Sequence, residues 1–149
     1  MKGNDATYAK SNEIVEVSLQ RLRGTEYNNL LKDNNRRKDG QALLDYLCDK
    51  FHMPKTTLSV STRPQPHSTN SRGSLRSKTY GFYRPATMGI TIYNVTAVKH
   101  QEISIKVFAD TLLHEFMHHY DMTHLRLSAT LHTAGFYKRI SDLQAKLAK

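Results

Sequence analysis

Leu112-Leu113-His114-Glu115-Phe116-Met117-His118-His119-Tyr120-Asp121 is the stretch whose reading decides both the fold and the chemistry of this chain. From Ile103 to Met122 the apolar residues Ala109, Leu112, Leu113, Phe116, Met117 and Tyr120 recur at helical spacing and form one stripe. At ~100° per residue, that stripe is centred more than about 90° from the face bearing His114, His118 and Asp121. The segment is predicted to be an amphipathic helix, with its apolar side in a core and its histidines turned elsewhere. Two histidines four residues apart lie about one turn apart, so both imidazoles reach one zinc ion and Glu115 reaches a water on it. The chain has eight histidines, so the helical context carries this inference more than the short pattern does.

A catalytic zinc needs a third protein ligand and an open position for water. Three residues downstream are candidates. His124 has the spacing of the His-Glu-x-x-His-x-x-Gly-x-x-His pattern, in which Gly breaks the helix so that the last His swings back to the metal. Asp121 stands where that Gly would be, and on a continuing helix His124 lies roughly 9 Å beyond His118 and about 240° around. Asp121 is on the correct face but roughly 10 Å from His114 along the axis, which suits hydrogen bonding to an imidazole better than direct ligation. His132 precedes a second helical pattern and reaches the metal if the chain turns back between Met122 and Thr130.

The rest of the chain reads as one domain over residues 1–149, in the order helix, helix, strands, helix, helix. Asn12 to Arg23 is predicted as an amphipathic helix through Ile14, Val15, Leu19 and Leu22, stopped by Gly24. A second helix follows, capped by Asp39, with Leu43, Leu44, Leu47 and Phe51 buried and Pro54 beyond its end. Thr57–Thr62, Lys78–Arg84 and Met88–Asn94 alternate as strands, whereas residues 63–77 read as a mobile basic loop. Phe136, Ile140, Leu143 and Leu147 mark the closing helix. The expected class is α+β, a small, mostly antiparallel sheet packed against helices with the metal-binding helix central.

Charge is distributed unevenly. The net charge is +9, and between Asp49 and Glu102 there is no acidic residue while Lys50, Lys55, Arg63, Arg72, Arg76, Lys78, Arg84 and Lys99 add eight positive charges. Such a region, spanning 50–101, suits DNA or another polyanion, with Arg72, Arg76 and Lys78 as candidate contacts. The single cysteine, Cys48, excludes an internal disulfide and a thiolate zinc cluster. No apolar run approaches membrane-spanning length, and the polar start lacks the apolar segment of a signal peptide, so a soluble cytoplasmic protein is expected.

The segments Leu113–Asp121 and Leu131-His132-Thr133-Ala134-Gly135-Phe136-Tyr137-Lys138-Arg139 together resemble the SprT-like zinc metallopeptidases. The resemblance is specific over Ala109 to Leu143 and only architectural before that. Gly135 falls three residues after His132, where the family's central pattern puts Gly next to the His. The resemblance implies a zincin-like fold, one zinc on His114, His118 and His132, with His124 the alternative third ligand, and Glu115 as general base in peptide-bond hydrolysis. It also implies a protein or peptide substrate paired with an edge strand, for which Met88–Asn94 is the candidate. Some relatives act on proteins attached to DNA, which the basic region suits. Tyr80, Tyr83, Tyr137, His119 and Arg139 are chemically able to stabilise an oxyanion. His119 points about 100° from His118, as a surface or supporting residue. Two other functions fit the sequence: a nucleic-acid-binding protein with a structural zinc, and a regulatory peptidase specific for one repressor.

Overall fold

The computed structural model describes residues 2–148, apart from the side chains of residues 2–5 and of Arg76. The chain runs α1 (Lys2–Glu13), α2 (Thr25–Leu31), α3 (Arg36–Lys50), β1 (Thr57–Pro64), β2 (His67–Thr69), β3 (Leu75–Lys78), β4 (Gly81–Arg84), β5 (Gly89–Val95), α4 (Ile105–Thr123) and α5 (Ala134–Leu147). The class is α+β. No helix among the described residues is long and apolar enough to cross a membrane.

Ser104 opens α4 by accepting a hydrogen bond from the Val107 amide, one of the amides that a helix start leaves unpaired. The predicted stripe is the buried one: Ala109, Leu112, Leu113, Phe116, Met117 and Tyr120 are each at most 1% exposed. This face packs against α2, α3, α5, β4 and β5, so α4 holds the centre of the core. Full burial of each such large side chain contributes about 1.5–3 kcal/mol, enough to fix the helix and, with it, the opposite face.

Asn35 caps α3 by accepting from the Lys38 amide, so the helix begins earlier than a cap at Asp39 would allow and Asp39 sits in its first turn. Leu43, Leu44, Leu47 and Phe51 are buried as their spacing predicts. A Cβ on Gly40 would come within 2.7 Å of the Leu58 side chain, so the glycine lets β1 lie directly on α3.

The main sheet has the order β1-β5-β4 and is mixed, not mostly antiparallel. β1 pairs in parallel with β5, matching Leu58 with Ile90 and Val60 with Ile92, while β4 pairs antiparallel with β5 from Gly81↔Ile92 to Arg84↔Gly89. Met88–Asn94 corresponds to β5 and is the central strand; the edge beside α4 is β4. Its predicted role as an edge strand is therefore corrected. Alternation shows which face is buried and says nothing of a strand's place or direction in a sheet.

Two further expectations fail. Residues 63–77 include a two-stranded antiparallel hairpin, β2–β3, closed by Asn70, whose side chain accepts from the Arg72 and Ser74 amides, and by Gly73 at φ 79°. Lys78 ends β3, so it does not begin the next strand. The predicted helix over 12–23 is absent beyond Glu13. Residues 14–24 run irregularly, with side chains answering their amides: Asp142 bonds to Val17 N (2.8 Å), the Tyr120 hydroxyl to Ser18 N (3.1 Å) and the Tyr46 hydroxyl to Arg23 N (2.8 Å). Val17 and Leu22 are buried there, and the β-branched Ile14, Val15 and Val17 favour extended backbone.

Candidate metal centre

His114 and His118 leave the side of α4 away from the core, with ring centroids 5.0 Å apart. Past the end of α4 the chain turns at Arg126 (φ 54°), the Leu127 amide bonds to the Asp121 carbonyl (3.0 Å), and Leu127 is buried. That return brings His132 to 5.0 Å from the His114 ring and 4.9 Å from that of His118. Thr133, the next residue, caps α5 by accepting from the Phe136 amide (2.9 Å), and the buried Phe136 ring underlies all three imidazoles. One ligand atom from each histidine lies within 4.8 Å of the others.

The donor set fits a zinc ion. Tetrahedral bonds of about 2.0–2.1 Å set two ligand nitrogens roughly 3.3 Å apart, and Nε2 of His118 and Nε2 of His132 are 3.0 Å apart. The tautomer of His118 also suits a metal. Thr130 Oγ1 donates to Asp121 Oδ2 (3.0 Å) and stands 2.7 Å from His118 Nδ1. Its one proton is committed to the carboxylate, so the hydroxyl accepts from Nδ1–H and leaves the Nε2 lone pair facing the cluster. Asp121 thus acts on His118 through Thr130 and does not accept an imidazole N–H directly.

Asp121 is in turn held by Arg139, whose Nη2 lies 2.9 Å from Oδ1, with both side chains completely buried. Burial pushes the Asp121 carboxyl up, while Arg139 and the Thr130 hydroxyl oppose that shift. Arginine keeps its proton, so the ionised carboxylate is the form that balances the buried charge. Replacing Thr130 by Val keeps the shape and removes the relay. Zinc affinity is expected to fall about 10- to 100-fold, measured by competition with a chromophoric chelator; unchanged affinity would refute the relay.

Desolvation keeps the histidines neutral: His114 is lowered to about 4 by burial and the neighbouring His132, and His118 to about 3 by burial, His114 and His132. Burial pushes Glu115 up to about 7. The two histidines bind protons less readily folded than unfolded, where the ordinary value is 6.5, so acid destabilises the metal-free fold between pH 6.5 and about 3. Glu115 acts oppositely between its ordinary 4.5 and about 7, because there the folded state holds its extra proton. Loss of stability in metal-free protein is therefore expected to be steepest below pH 4.5, measured as urea midpoint against pH. A midpoint that rises on acidification through that range would contradict the assignment.

Glu115 opens into a cleft of about 560 Å³ between α4 and the β3–β4 segment, lined by Lys78, Thr79, Tyr80, Gly81, Val107, Asp110, Thr111, His114, Glu115 and His132. A Cβ on Gly81 would meet the Thr91 carbonyl at 2.6 Å and Thr111 at 3.1 Å, so glycine lets this edge lie close against α4.

The structure does not bring His124 to the cluster. It ends α4 with its ring stacked on Tyr120 at 4.6 Å, Nδ1 3.2 Å from the Phe51 carbonyl and Nε2 3.1 Å from Ser18 Oγ. His119 is fully buried, not at the surface. Its Nε2 donates to the Pro54 carbonyl (2.7 Å), so its Nδ1 accepts from the Tyr83 hydroxyl (2.6 Å). Tyr83, His119 and Arg139 are thus committed elsewhere. Among the residues named for oxyanion stabilisation, Tyr80 in the cleft and Tyr137, its ring 5.9 Å from His132, are exposed. Lys78 lines the cleft and lies over the Tyr80 ring at 5.1 Å; Arg72 is exposed on the hairpin turn, and the side chain of Arg76 lies outside the described residues.

Thr130 carried no signal in the sequence. Arg139 did, since it falls three residues after Phe136 and four before Leu143 on the buried stripe of α5, where a guanidinium needs a buried carboxylate.

Comparison with protein-family models, with curated proteins and with solved structures finds no match in any of the three.

Proposed function

We propose that the protein is a zinc-dependent metallopeptidase with a zincin-like, SprT-like arrangement. The convergence of His114, His118 and His132 beside the buried Glu115 in a cleft carries this reading. A zinc ion held by the three imidazoles supplies the acidification of a water and the polarisation of the scissile carbonyl. The chain supplies the rest. Glu115 receives the water's proton at its carboxylate and returns it to the departing amine. The His118–Thr130–Asp121 relay keeps Nε2 of His118 unprotonated, and Phe136 walls the histidines on the core side. An extended substrate adds to the edge of β4, whose Gly81, Phe82 and Tyr83 border a second hollow over His114, Glu115, His118 and His132. A substrate so paired would have its scissile bond beside Glu115.

A structural zinc calls for four closing protein ligands, and the cluster among the described residues comprises three histidines next to an open cleft. That favours the catalytic reading. The basic hairpin β2–β3 leads into the cleft through Lys78, which suits substrates associated with DNA or another polyanion.

The test is zinc content and cleavage of casein and of a DNA-bound protein by the wild type, His132→Ala and His124→Ala. Loss of a ligand exceeds the ~10–100-fold effect of a supporting residue, so His132→Ala is expected to keep only weak, measurable zinc binding on His114 and His118 and to lose both activities. His124→Ala keeps its zinc. The reverse result would overturn the ligand set, and zinc-loaded wild type inert on both substrates would favour a peptidase restricted to one target.

A further inference from the structure

We infer that the N-terminal helix is a polar clasp that positions the third ligand, with Ser11 and Asn12 as positioning residues for His132. The inference rests on reading the three histidines as a metal site. Among the described side chains of α1 only Thr7 and Ser11 are buried, and both are polar, so no apolar stripe holds this helix to the core. Its attachments run instead to the segment that delivers His132. The Thr7 hydroxyl pairs with that of Ser128, Ser11 Oγ lies 2.9 Å from Thr133 Oγ1, and Asn12 Oδ1 accepts from the Gly135 amide at 3.1 Å. Arg139 adds hydrogen bonds to the Ser11 and Ile14 carbonyls.

These contacts bear on the start of α5, and that start fixes His132, one residue before the cap. A helix start leaves its first amides without partners. Here the Phe136 amide is answered by Thr133 and the Gly135 amide by Asn12 from α1, so part of the α5 cap comes from the other end of the chain. Gly135 is required at this contact: a Cβ there would stand 2.3 Å from the Ser11 carbonyl oxygen and 2.7 Å from that of Asn12. An attachment made of a few polar bonds opens more readily than a packed core. Release of α1 frees the segment 128–135, and binding of metal by His132 must favour docking of α1 to the same degree.

Gly135→Ala separates this role from general stability. Alanine is no worse a helix former than glycine, so the variant does not weaken α5 itself, and its added Cβ acts against the Ser11 and Asn12 carbonyls of α1. Zinc affinity is measured by chelator competition for full-length wild type, Gly135→Ala, Ser11→Ala, His132→Ala and the Gly135→Ala/His132→Ala double variant. Expected is a loss of about 10- to 100-fold in Gly135→Ala, a smaller loss in Ser11→Ala, and no further loss when Gly135→Ala is added to His132→Ala. In the wild type, zinc is also expected to slow amide exchange across α1, and in His132→Ala to leave it unchanged. Unaltered zinc affinity in both Gly135→Ala and Ser11→Ala, or equal losses with and without His132, would overturn the clasp and leave the metal site standing. A wild type that takes up no zinc would overturn both.

Discussion

Glu115→Gln is expected to keep its zinc and lose cleavage by about 10²- to 10⁴-fold, the range for removal of a general acid–base. The amide fills the same space at a position only 6% exposed, so packing is preserved, and the neighbouring His114, His118 and His132 keep their positions. What disappears is a group able to hold the transferred proton. In the metal-free protein burial raises the Glu115 carboxyl to about 7, so that the charged form is disfavoured near neutrality. The neutral amide avoids this cost, so the apo variant is expected to be at least as stable as the apo wild type. A bound divalent cation reverses the balance, since its charge favours the carboxylate. Cleavage by the wild type should therefore rise with pH on an acidic limb that lies below pH 7, and Glu115→Gln should show no such limb in its residual rate. The measurements are kcat/KM against pH, bound zinc and thermal midpoint for both proteins. Undiminished turnover in Glu115→Gln would remove Glu115 from the mechanism and leave the cleft without a base.

The parts of this molecule that were legible in its sequence are those whose local pattern and burial coincide. The stripe of α4 has both a cap at Ser104 and six apolar positions at helical spacing, and it is the buried face. Leu43, Leu44 and Leu47 do the same for α3. The parts that were illegible are held by contacts distant in the chain. α1 has no apolar stripe and is attached by hydroxyls and an amide to residues more than a hundred positions away, so periodicity had nothing to detect. β2 is exposed along its whole length and shows no alternation. The apolar residues at 14–22 looked helical by spacing, yet the amides of Val17, Ser18 and Arg23 in this stretch are answered by Asp142, Tyr120 and Tyr46. Parallel pairing of β1 with β5 left no local trace, since Leu58 and Ile90 alternate alike in either direction.

The site divides along the same line. Two histidines and the glutamate were legible because a single helix holds them. The third corner depended on how the chain turns after Thr123, and helical geometry could only argue against His124. The position of Asp121 on the histidine face was informative, but its partner Thr130 is a half-buried hydroxyl in a turn, a residue type and place with no pattern. Arg139, on the buried stripe of α5, was the one overlooked sign that Asp121 belongs inside.

That buried pair gives the largest expected effect on stability. Asp121→Ala leaves the Arg139 guanidinium completely buried beside an empty place, with its Nε already lacking a partner. Breaking one side of a buried ion pair costs about 3–5 kcal/mol, a large share of the roughly 5–15 kcal/mol that holds a domain folded. A fall in thermal midpoint of about 10 °C is expected for a chain of this size. Zinc affinity falls as well, because Thr130 then has no fixed acceptor and no longer commits His118 to the Nδ1–H tautomer. Arg139→Met should behave differently. It leaves Asp121 buried without its cation, and burial then drives the carboxyl toward its protonated form. A protonated Asp121 donates to Thr130, Thr130 donates to His118 Nδ1, and the ring proton moves to Nε2, the atom that faces the cluster. Zinc affinity in Arg139→Met should therefore recover as pH rises, whereas in Asp121→Ala it stays weak at every pH. The double variant Asp121→Ala/Arg139→Met removes both buried charges and should regain most of the lost midpoint without regaining zinc affinity. If the double variant recovered both, the pair would serve the fold alone and the tautomer of His118 would be set by something other than Asp121.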